Sequence, residues 1–313
     1  MQPASTFKRG RGRWHDMNLQ RSSRPVARTA GLTLLAMLAF AGNSLLCRAA
    51  LSNTAIDAAS FTTLRIVSGA LVLWMLVRLR QSQVQGRGNW GSALALFAYA
   101  AGFSFAYLSL AAATGALLLF GAVQATMIGR GLWQGERFNR RQWAGFGAAL
   151  AGLVGLLLPG LAAPPLVAAL LMIGAGVAWG IYSLRGRGAG DATAVTAGNF
   201  IRSVPFAILL SVLMVPYLSI DMAGAAYAVA SGALASGVGY AIWYSVLPLL
   251  PATRAATVQL SVPVIAALGG VALLGEALTL RLVLASVAIL GGIALVVIEK
   301  RGTPLPRPGH GPR

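Results

Sequence analysis

The chain has 313 residues, 57% of them hydrophobic and 10% charged, with a formal charge of +18. A soluble domain carries about 25% charged residues, so this composition excludes one and points to a polytopic membrane protein. The positive charge does not indicate a nucleic-acid partner, because membrane topology puts basic residues where these lie; the single cysteine, Cys47, leaves no disulfide or cysteine metal site, and His15 and His310 both sit in polar tails.

Residues 1–29 form a basic tail that runs into an apolar segment of full spanning length, an anchor more than a cleavable leader. Ten spans are predicted, over residues 30–50, 58–77, 90–110, 113–133, 142–158, 165–184, 193–215, 223–247, 253–274 and 280–298. Such segments, of roughly 17 to 25 residues, suffice to cross a hydrocarbon core of about 30 Å. The third and fourth nearly fuse and are divided at residues 111–113. Residues 299–313, rich in Pro and Gly, read as a disordered tail.

The spans repeat. Arg48 and Arg65 recur as Arg185 and Arg202; Gly135, Glu136, Arg141 and Gly152 recur as Gly275, Glu276, Arg281 and Gly292. Matches at charged positions carry the inference, because apolar sequences coincide by chance. Residues 30–158 and 165–298 are therefore two copies of one five-helix unit. Five is odd, so the second copy starts on the opposite face, and the halves are related by a pseudo-two-fold axis in the membrane plane. Charge agrees. With the N-terminus inside, only Arg48 and Arg281 fall outside and Arg65 and Arg202 lie within spans; the rest of the 25 basic residues fall on the inner side. Both ends are predicted cytoplasmic.

An arginine near a span centre costs about 2.5 to 3.5 kcal/mol on insertion scales, so Arg65 and Arg202 need a reason. Each either meets a substrate carboxylate or a gate partner, or bonds carbonyls and side chains between helices. Arg202, one helical turn beyond Asn199, is the better substrate contact; Arg65 is read as a gate. Polar and aromatic side chains that lipid would not favour are candidates to line a central cavity or to bond between helices. They are Asn43 with Cys47 one turn on; Tyr99, Phe103 and Tyr107 along the third span; Gln124; Trp179 and Tyr182; Asn199; Trp243 with Tyr244; and Gln259. Trp90 and Trp143, at span ends, read as interfacial belt residues. Pro205 and Pro263 interrupt the helical ladder of the seventh and ninth spans and are candidate hinges.

No Asp or Glu falls in the central part of a span. This argues against a carboxylate proton relay and against a cationic substrate. Without intramembrane histidine or paired aspartates, hydrolytic chemistry is excluded too, and no cofactor or metal is expected. The expected partners are a small-molecule substrate and the bilayer, with the protein acting as a monomer.

The stretch GAVQATMIGRGLWQGERFNRRQWAGFGAALAGLVGLLLPG and its counterpart SVPVIAALGGVALLGEALTLRLVLASVAILGGIALVV resemble the two EamA repeats of the drug/metabolite transporter superfamily. The Gly-Glu pairs Gly135-Glu136 and Gly275-Glu276 and the proline Pro263 carry the likeness; Val123 stands where many members have a further proline. Within that superfamily the chain is most similar to YddG-like amino-acid exporters. The resemblance implies a ten-helix basket around a central cavity, alternating access, and efflux of amino acids or related metabolites across a bacterial-type inner membrane. A broad drug exporter and an uncoupled facilitator are the alternatives it leaves.

Overall fold

The computed structural model describes residues 11–80, 87–135, 137–160, 163–186, 190–250 and 252–299. Residues 1–10 of the basic tail, the predicted C-terminal tail from 300 onward, Glu136 and Arg187 lie outside the described residues.

The described residues form helices and turns, with no strand among them. In chain order these are α1 (Arg11–Asn53), α2 (Ala58–Leu79), α3 (Trp90–Tyr107), α4 (Ala112–Trp133), α5 (Arg140–Leu157), α6 (Leu166–Arg185), α7 (Ala192–Leu213) and α8 (Met222–Ala230). A π-helical segment (Ser231–Val238) then leads into α9 (Gly239–Val246), followed by α10 (Ala252–Gln259), α11 (Ser261–Leu274) and α12 (Leu280–Glu299). Eight spans are long and apolar enough to cross a membrane by length and composition. Helices α3 and α5, of 18 residues each, also reach spanning length. The chain is an all-helical polytopic membrane protein.

Local signals place the helix starts. Asp57, Asn89, Asn139, Asp191 and Asp221 each accept a backbone N–H in the first turn of α2, α3, α5, α7 and α8. Such caps satisfy donors that a helix cannot satisfy internally. At α5 the cap is reciprocal: Gln142 N donates to Asn139 Oδ1 at 2.9 Å and Asn139 N donates to Gln142 Oε1 at 3.0 Å.

The two halves interlock. Helix α2 packs antiparallel on α7: Thr63 Oγ1 donates to the Ala207 carbonyl at 2.9 Å, whereas Arg80, near the far end of α2, reaches Thr193 near the start of α7. Helix α5 packs on α12 in the same way. Helix α3 lies against α6 and α7, and its counterpart, running from α8 through the π segment to α9, lies against α1 and α2. Helix α4 packs on α6 just as α11 packs on α1. Each of these contacts has its image under exchange of the halves, as duplication with opposite orientation requires. Small residues allow the close approach. A Cβ on Gly145 would stand 2.6 Å from the Gly292 carbonyl oxygen, and one on Gly152 would stand 2.7 Å from Ala288 Cβ.

Four details differ from the sequence reading. Helix α1 begins at Arg11, within the stretch read as a tail, and continues unbroken into the first span. The eighth span carries a π-helical segment, which hydropathy cannot reveal. Pro205 lies inside α7, which continues past it from Ala192 to Leu213 although the proline has no N–H to donate. The ninth span is broken at Leu260 rather than at Pro263, and Pro263 sits in the first turn of α11, where a missing N–H costs nothing.

Candidate functional site

Three helices of the first half bring their polar positions together. Asn43 on α1, Arg65 on α2 and Tyr99 on α3 are all buried. Asn43 Nδ2 donates to Tyr99 Oη at 3.1 Å, and Arg65 Nη2 donates to the same oxygen at 2.6 Å. Phe103 lies one turn along α3, and the Arg65 guanidinium carbon is 5.0 Å from the Tyr99 ring centre and 4.8 Å from that of Phe103. Helical spacing explains the pairing, since positions four apart present one face. Tyr107, the next turn, continues that face, 4.7 Å ring to ring from Phe103.

The second half closes the cluster. Ser231, first residue of the π segment, donates to Asn43 Oδ1 at 2.6 Å. Trp179 of α6 lies 4.7 Å from the Tyr99 ring and 6.1 Å from that of Tyr240. Phe40 of α1 meets Trp179, Tyr240 and Trp243. A Cβ on Gly232 would overlap Ser68 Oγ and the Arg65 carbonyl oxygen, so the π segment bears directly on the backbone that carries Arg65. π-Helical insertions are rare and concentrate at functional sites.

Arg65 is 2% exposed and pairs with no carboxylate among the described residues. Its Nη1 is buried without a hydrogen-bond partner, and so is Tyr240 Oη. The cation is held by one phenol and two ring faces.

The other predicted positions fall elsewhere. Tyr182 and Asn199 meet between α6 and α7, where Asn199 Nδ2 donates to Tyr182 Oη at 3.5 Å and Asn199 Oδ1 accepts from the Asn89 N–H at 2.9 Å. Arg202 lies beside them, half-buried, donating to the carbonyls of Arg87 and Gly198. It secures the entry to α3, which is the structural alternative weighed for it. Arg65 and Arg202, equivalent in sequence, therefore have different surroundings, and Arg65 is the one inside the aromatic cluster. Gln124 is buried on α4 and Gln259 is half-buried at the end of α10; neither touches the Asn43–Tyr99–Arg65 group through a hydrogen bond among the described residues.

Sequence reasoning missed Phe40, Ser231 and Tyr240. An aromatic or serine in an apolar span reads as packing, and only the fold shows that they converge. Glu276, read from sequence as a repeat and family position, proves to pair with Arg48 at 3.1 Å and to accept from the Ala112 N–H at 2.8 Å, partners that the spacing does not reveal. Among the described residues no three of His, Cys, Asp and Glu converge to hold a metal. Two apolar cavities open on the flanks of the bundle. One, of about 70 Å³, is lined by α4, α5 and α12 residues including Phe146 and Ile289; the other, of about 490 Å³, lies between α3 and α6 beside Gly102 and Leu171. Neither is lined by a predicted site residue.

A family model described as the EamA-like transporter family matches residues 166–298. A relative in Pseudomonas aeruginosa, Uncharacterized protein PA1977, is 60% identical over 258 residues, which span 82% of this chain and 90% of the relative. A solved crystal structure is similar with a TM-score of 0.63 at 21% identity, covering 88% of this chain and 99% of the other, a likeness of fold.

Proposed function

The chain belongs to the EamA-like transporter family and is a multi-pass membrane transporter of the drug/metabolite type, and from that premise we propose that it exports amino acids or related small amphipathic metabolites by alternating access. The observation that carries this reading is the cluster of Asn43, Arg65, Tyr99 and Trp179, contributed by both halves of the bundle. An amide and a cation beside flat apolar rings suit a solute with one polar end and one apolar body. Because α1, α2 and α3 meet α6 and the π segment there, rocking of one half against the other exposes the cluster to either side.

On this reading the protein acts as a monomer in a bacterial-type inner membrane, with both termini cytoplasmic. The arginine distribution supports that orientation. A second reading, an uncoupled facilitator, is favoured because no carboxylate among the described residues joins this cluster, and coupled proton movement through a membrane commonly uses one.

Uptake of labelled amino acids into proteoliposomes, against empty vesicles, tests the proposal. Faster uptake of one or more members supports it. If no member of a broad panel moves faster than in empty vesicles, amino-acid transport is wrong.

A further inference from the structure

We infer that Arg65 Nη1 is the anchor for a substrate carboxylate, and that the substrate is recognised as an acid with an apolar, ring-sized body rather than as an amine. The inference rests on the transport reading above and narrows it to a chemical class.

The argument starts from the unmet donor. Arg65 is 2% exposed, and a buried guanidinium needs its N–H groups taken up. Nη2 is satisfied by Tyr99 Oη at 2.6 Å, while Nη1 is buried with no partner. An unmet charged donor in a region of low dielectric is costly, and a carboxylate is the acceptor that relieves it best, through charge-assisted bonds. No side chain supplies that carboxylate: Arg65 has no acidic partner among the described residues. The faces of Tyr99 and Phe103 hold the cation, yet neither residue takes up the Nη1 hydrogens.

A second donor points the same way. Tyr240 is 4% exposed, and its Oη is also buried without a partner, in the same ring cluster through Trp179 and Phe40. A phenol offers a hydrogen to an acid. Phe40, Tyr99, Phe103, Trp179 and Tyr240 provide flat apolar faces for the body. For an ammonium group the cluster has no negative charge to offer among the described residues. The acid is therefore the group that binds, and an α-amine adds little.

The test compares three ligands of one shape on the unaltered protein in detergent and in proteoliposomes: phenylalanine, 3-phenylpropionate (the acid alone) and phenethylamine (the amine alone). Thermal stabilisation by each is measured, together with competition against whichever labelled amino acid is transported. Phenylalanine and 3-phenylpropionate are expected to stabilise and compete comparably, with phenethylamine weaker by about ten- to a hundredfold, the worth of a lost charged hydrogen bond. Arg65→Gln is expected to remove that discrimination, and Arg65→Lys to retain part of it. Equal binding by the amine, or no binding by the acid, overturns the inference, and both results come from the unaltered protein whether or not the variants fold. The two readings fail separately. Binding of 3-phenylpropionate without uptake of any amino acid leaves the anchor and removes amino-acid export; amino-acid uptake blocked equally by the amine removes the anchor alone.

Discussion

Arg48 Nε stands 3.1 Å from Glu276 Oε1, so the last turns of α1 in one half are tied to the residue that follows Gly275 after α11 in the other. Gly275 makes the tie possible: at φ +66° it ends α11 in the left-handed region that favours glycine and turns the next residue sideways. Glu276 then reaches α4, whose own cap position, Ala111, offers no side-chain acceptor, and accepts the Ala112 N–H at 2.8 Å. A carboxylate at a helix N-terminus also meets the positive end of the helix dipole. Arg48 adds a bond to the Tyr107 carbonyl at 3.0 Å. One Gly-Glu pair thus fastens α1, α3, α4 and α11 at one end of the bundle.

Removing Arg48 leaves Glu276, 14% exposed, without its cation. Arg48→Ala is therefore expected to lower stability by about 2 kcal/mol, the scale of a hydrogen bond to a charged group. Glu276→Gln is expected to cost a similar amount through the weakened cap on α4. The double variant is expected to cost less than the two combined, because both changes break one interaction. Thermal unfolding in detergent measures all three; strict additivity means that the two residues act independently.

Adjacent glycines of α12 give a prediction with its own control. A Cβ on Gly292 would overlap the Gly145 carbonyl oxygen and stand 2.8 Å from the Ala149 nitrogen, whereas one on Gly291 meets nothing within 4 Å. Gly292→Ala must push α12 off α5, at about 1 to 3 kcal/mol. Gly291→Ala is expected to be neutral or to stabilise by up to about 1 kcal/mol through helix propensity. Melting temperatures of the two variants separate the outcomes, and equal effects mean that α5 and α12 do not pack at Gly292.

The duplication was legible because it is written in charged residues, scarce in this chain, and because Gly292 and Gly152 occupy equivalent places along α12 and α5. The sequence reading took no helix caps from Asp57, Asn89, Asn139, Asp191 and Asp221, although they stand where apolar runs begin. Asn43, Arg65 and Tyr99 were each visible as polar positions in lipid-length segments. Their convergence on one phenol oxygen was not, because sequence spacing orders residues along a helix but not between helices. Symmetry in sequence also misled: Arg65 and Arg202 match, yet one is enclosed by rings and the other bonds the loop carbonyl of Arg87 and the helical carbonyl of Gly198. The π segment and the break at Leu260 follow from backbone bonding in contact with other helices, which periodicity does not record.

Asp57 supplies a pH dependence. Burial pushes its carboxyl up, but hydrogen bonds from Ser60, Ser219 and Ala59 outweigh that and hold it below the ordinary value of 3.8. Its Oδ1 caps α2 at 2.9 Å and its Oδ2 accepts the Ser219 N–H at 3.0 Å, linking the α1–α2 loop to the α7–α8 loop. A depressed carboxyl contributes stability that is fully present above the unfolded value and is lost as pH falls through the folded one. Asp57→Ala is expected to melt lower than the parent at neutral pH by about 1 kcal/mol, the worth of a cap. That gap is expected to stay constant down to the ordinary carboxylate range and to shrink below it. A gap that widens on acidification contradicts the assignment.

The opposed orientation of the halves makes a prediction about two exposed residues. The Asp57–Ser219 link puts the start of α8, and with it Met222, at the end of the bundle where α1 runs out. Glu276 and Arg48 put the start of α4 at that same end, so Trp133, the last residue of α4, lies at the opposite one. Met222 and Trp133 are 86% and 85% exposed, whereas the native Cys47 is buried and gives little background. With the N-terminus inside, a Met222→Cys variant is expected to react with a membrane-impermeant maleimide in intact cells, and a Trp133→Cys variant only after permeabilisation. The reverse pattern keeps the inverted repeats and flips the whole protein in the bilayer. Labelling of both from one side is incompatible with α4 crossing the membrane between them, and it removes the two-sided access that export requires.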